Sequence, residues 1–127
     1  GLGFRAQAKP YKNWILQAVR VLFTIDNQVR GLRRRQVVGS YISGLRKGAF
    51  WSIESDAANY NISTPLDCPF RNTSLLAGIG TRLRAIDPVT QQKLINWGYA
   101  VCDLGLRVHV DSTLAAPTSF PFPGAGV

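Results

Sequence analysis

Asp87-Pro-Val-Thr-Gln-Gln-Lys-Leu-Ile-Asn-Trp-Gly-Tyr-Ala-Val-Cys-Asp-Leu-Gly-Leu-Arg-Val-His109 is the stretch from which the fold is read. Its pattern predicts one long helix. Asp87 offers a side-chain oxygen to the free amides of the first turn, Pro88 suits a first helical position, and Arg107 and His109 lie near the negative end of the helix dipole. Leu94, Trp97, Val101, Leu104 and Val108 recur every three or four residues, and Gly98, Cys102 and Gly105 form a flank of small residues that another backbone can approach closely. Such a helix is built to be buried, and the rest of the chain holds little to bury it.

A length of 127 residues suits one domain, and 46% hydrophobic content is ordinary for a globular protein. No methionine is present, so Gly1 reads as a cut end rather than a start of translation. No apolar run is long enough to span a bilayer and no signal-peptide pattern occurs. Cys68 and Cys102 are too few for a disulfide framework or a four-ligand zinc site and are read as reduced and structural, Cys68 in a Pro-flanked loop and Cys102 on the buried side of the helix. The net charge of +8 is unevenly placed, because residues 1 to 47 hold ten Lys or Arg against the single acid Asp26.

Upstream, residues 1 to 12 lack periodicity and read as a connecting loop. From Asn13, a reasonable N-cap, Trp14, Ala18, Val21, Leu22, Ile25, Val29 and Leu32 predict a second long helix running to about Val38, with a break between Gly39 and Gly44. Gly48 to Glu54 alternates as a strand does, yet no partner strand is evident, so its ladder hydrogen bonds call for another segment or chain. Ser55 to Thr73 reads as a polar, turn-rich loop with a helical turn at Asp56 to Tyr60, and Ser74 to Ile86 as helical at its Thr81 to Ile86 end. Beyond Leu114 the prolines and glycines exclude a helix or a central strand. Residues 111–127 form a Pro-rich tail, either extended against a neighbour or, preferably, mobile.

Chemistry is sparse. None of the eight serines sits in a Gly-x-Ser-x-Gly elbow; Gly39-Ser40 and Ser43-Gly44 each offer half of one. His109 is the only histidine, and Asp103 and Ser112 strung along the same helix end do not converge with it as a triad requires, so a helix-terminal role is the favoured reading. Glu54, Asp56 and Asp67 show no metal spacing, and no cofactor motif is found; no metal or cofactor is expected. The strongest electrostatic feature is Arg30, Arg33, Arg34 and Arg35, continued by Arg46 and Lys47. These residues are candidates for binding an anionic membrane, or nucleic-acid phosphates, or they form a solvated helix face or partners for acids elsewhere. Nucleic acid is the least favoured partner, since no stacking aromatics interleave with the arginines.

Several blocks, in order, resemble the C-terminal part of bacterial patatin-like phospholipases: Ile25-Asp-Asn-Gln-Val-Arg30 followed by Leu32-Arg-Arg-Arg35, Arg46-Lys-Gly-Ala-Phe-Trp51, Asp67-Cys-Pro69, Thr81-Arg-Leu83, and Leu94-Ile-Asn-Trp-Gly-Tyr-Ala-Val-Cys-Asp103. Gly80 departs from the proline more usual there, and nothing after His109 matches. The resemblance implies an α/β fold, of which residues 1–110 would be the C-terminal, helix-rich portion of a three-layer α/β/α hydrolase with one or two strands. It also implies acyl-ester hydrolysis by a Ser-Asp dyad with a Gly-rich oxyanion hole. Phe4, Gln7 and Pro10 are spaced as though Gly1 closed the aspartate motif, which places both dyad residues upstream of Gly1 and no catalytic residue in this chain. The implied partners are the upstream catalytic half of the same hydrolase, a phospholipid or other acyl-ester substrate, and an anionic membrane surface, at a cytoplasmic location peripheral to the membrane. From the residues alone, the competing reading is a self-sufficient basic helical module that binds anionic surfaces without catalysis.

Overall fold

The computed structural model describes residues 13–80 and 85–127, which divide into two compact units meeting between Arg46 and Lys47. Among the described residues there are three helices and one 3-10 turn, and no strand. The first unit contains α1, Trp14–Ile42. Asn13 is extended, and its Oδ1 accepts from the Ile15 amide at 2.9 Å, so the cap expected from its side chain is formed. The helix runs through Gly39, past the expected break, because the chain reverses only where Gly44 adopts a left-handed φ of +74°.

The second unit is organised around α3, Pro88–His109. Asp87 caps it through a 2.9 Å bond from the Thr90 amide, and hydrogen bonds from Thr90 hold the Asp87 carboxyl below the usual carboxylate range. Its buried face carries Asn96, Trp97, Ala100, Val101, Leu104 and Gly105. Trp97, Val101 and Leu104 lie where the periodicity placed them, whereas Val108 remains exposed. Against this face pack α2, Phe70–Ala77, and the 3-10 turn Ala57–Tyr60, together with Leu66, Cys68 and Val127.

Three local expectations are corrected. The strand expected over Gly48 to Glu54 does not form, and with it goes the only strand supporting an α/β reading of these residues; the described chain is all-helical. Lacking a partner strand, the segment is laid across α3, where Trp51 joins the core and the Ile53 carbonyl accepts from the Trp97 indole at 3.0 Å. The loop expected through Thr73 gives way to a helix, α2, at Phe70–Ala77, since Pro69 supplies an extended N-cap residue and Gly78 ends the run; the helical end expected at Thr81 to Ile86 falls largely on residues 81–84, which lie outside the described residues. The cysteines also exchange roles: Cys68 is in the core and Cys102 is only half-buried, both as free thiols.

Residues 111–127 contain no helix, as expected, but they are fastened to the body rather than loose. Asn96, fully buried, donates through Nδ2 to the Phe122 and Gly126 carbonyls at 2.9 and 2.8 Å, and its Oδ1 accepts from the Phe122 amide at 3.0 Å. Asn72 Nδ2 donates to the Val127 backbone oxygen at 3.0 Å.

The small-residue flank of α3 works at one position. A Cβ on Gly105 would stand 3.0 Å from Trp51 Cε3 and 3.3 Å from Ala49 Cβ, whereas one on Gly98 would meet nothing within 4 Å. Gly98→Ala is expected to raise the melting temperature, since removing an unneeded helical glycine gains up to about 1 kcal/mol. Gly105→Ala is expected to lower it, because overpacking against a buried indole costs roughly 1–3 kcal/mol and outweighs the same propensity gain. Thermal denaturation followed by circular dichroism compares the two. Asn96→Ala strands three backbone groups of the closing segment and is expected to cost roughly 2–4 kcal/mol in urea unfolding. Hydrogen exchange at the Phe122 amide, whose acceptor is the Asn96 Oδ1, should then become faster.

Candidate functional site

Sequence reasoning nominated the arginines of α1. Arg30, Arg33, Arg34 and Arg35 are all exposed on one helix. Arg30 Nε pairs with Asp26 Oδ2 at 2.8 Å, an exposed i,i+4 pair of the kind worth about 0.3–0.5 kcal/mol. The Arg35 Nε bonds the Gly31 carbonyl at 3.3 Å. Arg33, Arg34 and Arg35 make no ion pair among the described residues. The helix supporting them buries none of its residues, and Trp14 and Leu22 are 78% and 66% exposed.

A second cluster lies at the far end of α3. Ser55, Asp56, Asn59, Tyr60 and His109 line an open pocket of about 210 Å³. His109 lies against Tyr60, ring centroids 6.2 Å apart and planes tilted by 59°. A serine, an aspartate and a histidine thus share one concavity, yet two of the three serve the backbone. Asp56 Oδ1 accepts from the Ala58 amide at 3.0 Å and starts the 3-10 turn, while Ser55 Oγ accepts from the Ser52 amide at 3.0 Å. A polarised serine–histidine–aspartate relay needs these atoms turned toward one another. The arrangement therefore serves as a turn cap beside a surface ring pair, and its signal in the sequence was only the expected helical turn at Asp56 to Tyr60.

Asp103, the carboxylate weighed with His109 and Ser112 from the sequence, belongs to Arg107. The guanidinium meets it at 2.6 and 2.9 Å and sends Nη1 to the Ser63 carbonyl at 3.2 Å, both side chains being about nine-tenths buried. Such a pair is costly to break because either partner alone would be a buried, uncompensated charge. It fastens the loop before Leu66 to α3. No group of three or more His, Cys, Asp or Glu fit to hold a metal occurs among the described residues. No helix among them is long and apolar enough to cross a membrane.

The Cys68 thiol has a perturbed titration. Burial, with the neighbouring Asp67 carboxylate adding to it, pushes its pKa from 9.0 up to about 11. This is the reverse of what a nucleophilic cysteine needs, so Cys68 is a packing residue.

Compared with protein-family models, with characterised proteins and with solved structures, the chain matches none.

The Cys68 environment has a pH consequence. Between about 9 and about 11 the folded chain retains the thiol proton that the unfolded chain gives up, so this group's contribution to stability falls as pH rises through that window. Urea midpoints for the native chain and Cys68→Ala, measured from pH 8 upward, should converge as the pH passes 9. A constant difference would remove this account.

Proposed function

We propose that this chain is the C-terminal segment of a patatin-like lipid acyl hydrolase, supplying packing and active-site surroundings to a Ser-Asp dyad carried by the preceding catalytic half. The observation that carries the reading is α1: 29 residues, none buried, with Trp14, Ile15, Val21, Leu22, Phe23, Ile25 and Leu32 exposed. Helices in proteins draw most of their stability from a packed apolar face, and each large side chain returned to a core recovers roughly 1.5–3 kcal/mol. A second unpaired strip lies on α3, where Ile95 and Tyr99 are exposed beside the open Gly98. Two bare helical faces are what remains when helices of a three-layer α/β/α fold are described without the sheet between them. The resemblance of the sequence blocks names which such fold. Asn96, Trp97 and Asp103, all within the block Leu94 to Asp103, here hold structure rather than chemistry, in keeping with a segment that supports a dyad located elsewhere.

In the whole enzyme the serine hydroxyl attacks the acyl carbonyl and passes its proton to the aspartate. The alcohol portion leaves with that proton, and water then releases the acid. This chain contributes none of those atoms. Its part is to close the apolar surroundings and fix the helices that bound them.

The reading is tested by reconstitution. A polypeptide bearing a Gly-x-Ser-x-Gly elbow and an Asp-Gly-Gly or Asp-Ala-Gly motif, produced from the coding sequence directly upstream, is mixed with this chain and assayed on a water-soluble acyl ester. Hydrolysis is expected from the mixture, from neither piece alone, and not after the elbow serine is changed to alanine. Leu22→Asp or Ile25→Asp should reduce the recovered activity at least tenfold, since one buried unpaired charge costs several kcal/mol. Absence of any association between the two polypeptides would sink the proposal.

A further inference from the structure

We infer that the arginine collar of α1 is a docking surface for anionic lipid headgroups. Within residues 21–46 the only acid is Asp26, against Arg30, Arg33, Arg34, Arg35 and Arg46. Asp26 is spent on Arg30. The positive potential over this part of the helix is therefore not neutralised along its own surface, and it attracts a polyanion.

The distribution around the axis matters as much as the count. Successive helical residues are rotated by about 100°, so Arg33, Arg34 and Arg35 fan across more than half of the circumference. The apolar arc of Trp14, Ala18, Val21, Leu22, Ile25, Val29 and Leu32 occupies one side. By the same rotation Arg30 and Arg34 fall on the side away from that arc, and Arg33 and Arg35 flank it. A core packed on the arc leaves the outward guanidinia facing solvent. The collar thus goes beyond the hydrolase reading without competing with it for the same face.

Lipid is the occupant that the neighbouring residues favour. A guanidinium makes paired hydrogen bonds to phosphate or carboxylate and is weakly hydrated, and Val37, exposed on the same outward side as Arg30 and Arg34, offers apolar contact at the depth where headgroups meet acyl chains. No aromatic ring lies between Arg30 and Arg35 to stack a base, as single-stranded nucleic acid would require.

The test is flotation of the full chain with phosphatidylcholine vesicles, with and without phosphatidylserine. Binding is expected only when phosphatidylserine is present, and raised salt should abolish it. At about fivefold per basic residue, Arg33→Glu/Arg34→Glu/Arg35→Glu should weaken binding by a hundredfold or more, whereas Arg33→Lys/Arg34→Lys/Arg35→Lys should retain most of it. The substituted side chains are exposed, so circular dichroism should show the helix content preserved in both. Equal binding to neutral vesicles, an unaffected charge-reversed chain, or retention of duplex DNA without retention of phosphatidylserine vesicles would each overturn the inference. Hydrolysis of the soluble ester by the reconstituted pair reports on the hydrolase reading alone, so the two can fail separately.

Discussion

Chain without regular structure can be packed on a helix only if its peptide groups find hydrogen bonds that no sheet provides. In the unit around α3, long polar side chains meet that constraint. The Trp97 indole reaches the Ile53 carbonyl, Asn96 serves both polar groups of Phe122 and the carbonyl of Gly126, Asn72 reaches Val127, and Arg107 reaches Ser63. Each of these bonds joins the helical framework to a segment distant in sequence. Together they let loops serve as the second layer of the core.

The constraint also explains why close approach is concentrated at Gly105. An extended segment held by one indole bond gains its remaining stability from contact, and Ala49 and Trp51 can lie on α3 only where no Cβ intervenes. On α1, the hydrogen bonds from Thr24 to Arg20 and from Ser40 to Val37 return to carbonyls of the helix's own turns.

Much of this was legible in the residues. Asp87-Pro88 and the spacing from Leu94 to Leu104 located α3 and its buried face, and Asn13 located the start of α1, because caps and 3.6-residue periodicity are local physics. The arginine cluster was likewise visible, since exposure of consecutive arginines on a helix follows from their charge. The strand was misread because alternation in Gly48 to Glu54 marks an extended, half-buried segment and cannot say whether its neighbour is a strand or a helix. Asn96 carries no local signal of its role beyond its place beside Trp97 and four residues before Ala100, which puts it on the buried arc, where an amide must find partners. Those partners, in residues 122–126, lie beyond any local pattern. The cysteines were exchanged for a related reason: a Pro-flanked loop need not be a surface loop when a helix face passes beneath it.

The composition of α1 changes along its axis as well as around it. Large apolar side chains crowd the turns from Trp14 to Ile25, where Arg20 is the single arginine, and the cluster Arg30 to Arg35 begins five residues later. At about 1.5 Å per residue, the midpoints of the two halves are some 20 Å apart. A rod graded in this way is polar end to end, like a surfactant drawn out lengthwise. It can hold two surfaces of unlike character at once, at a separation set by the helix rise.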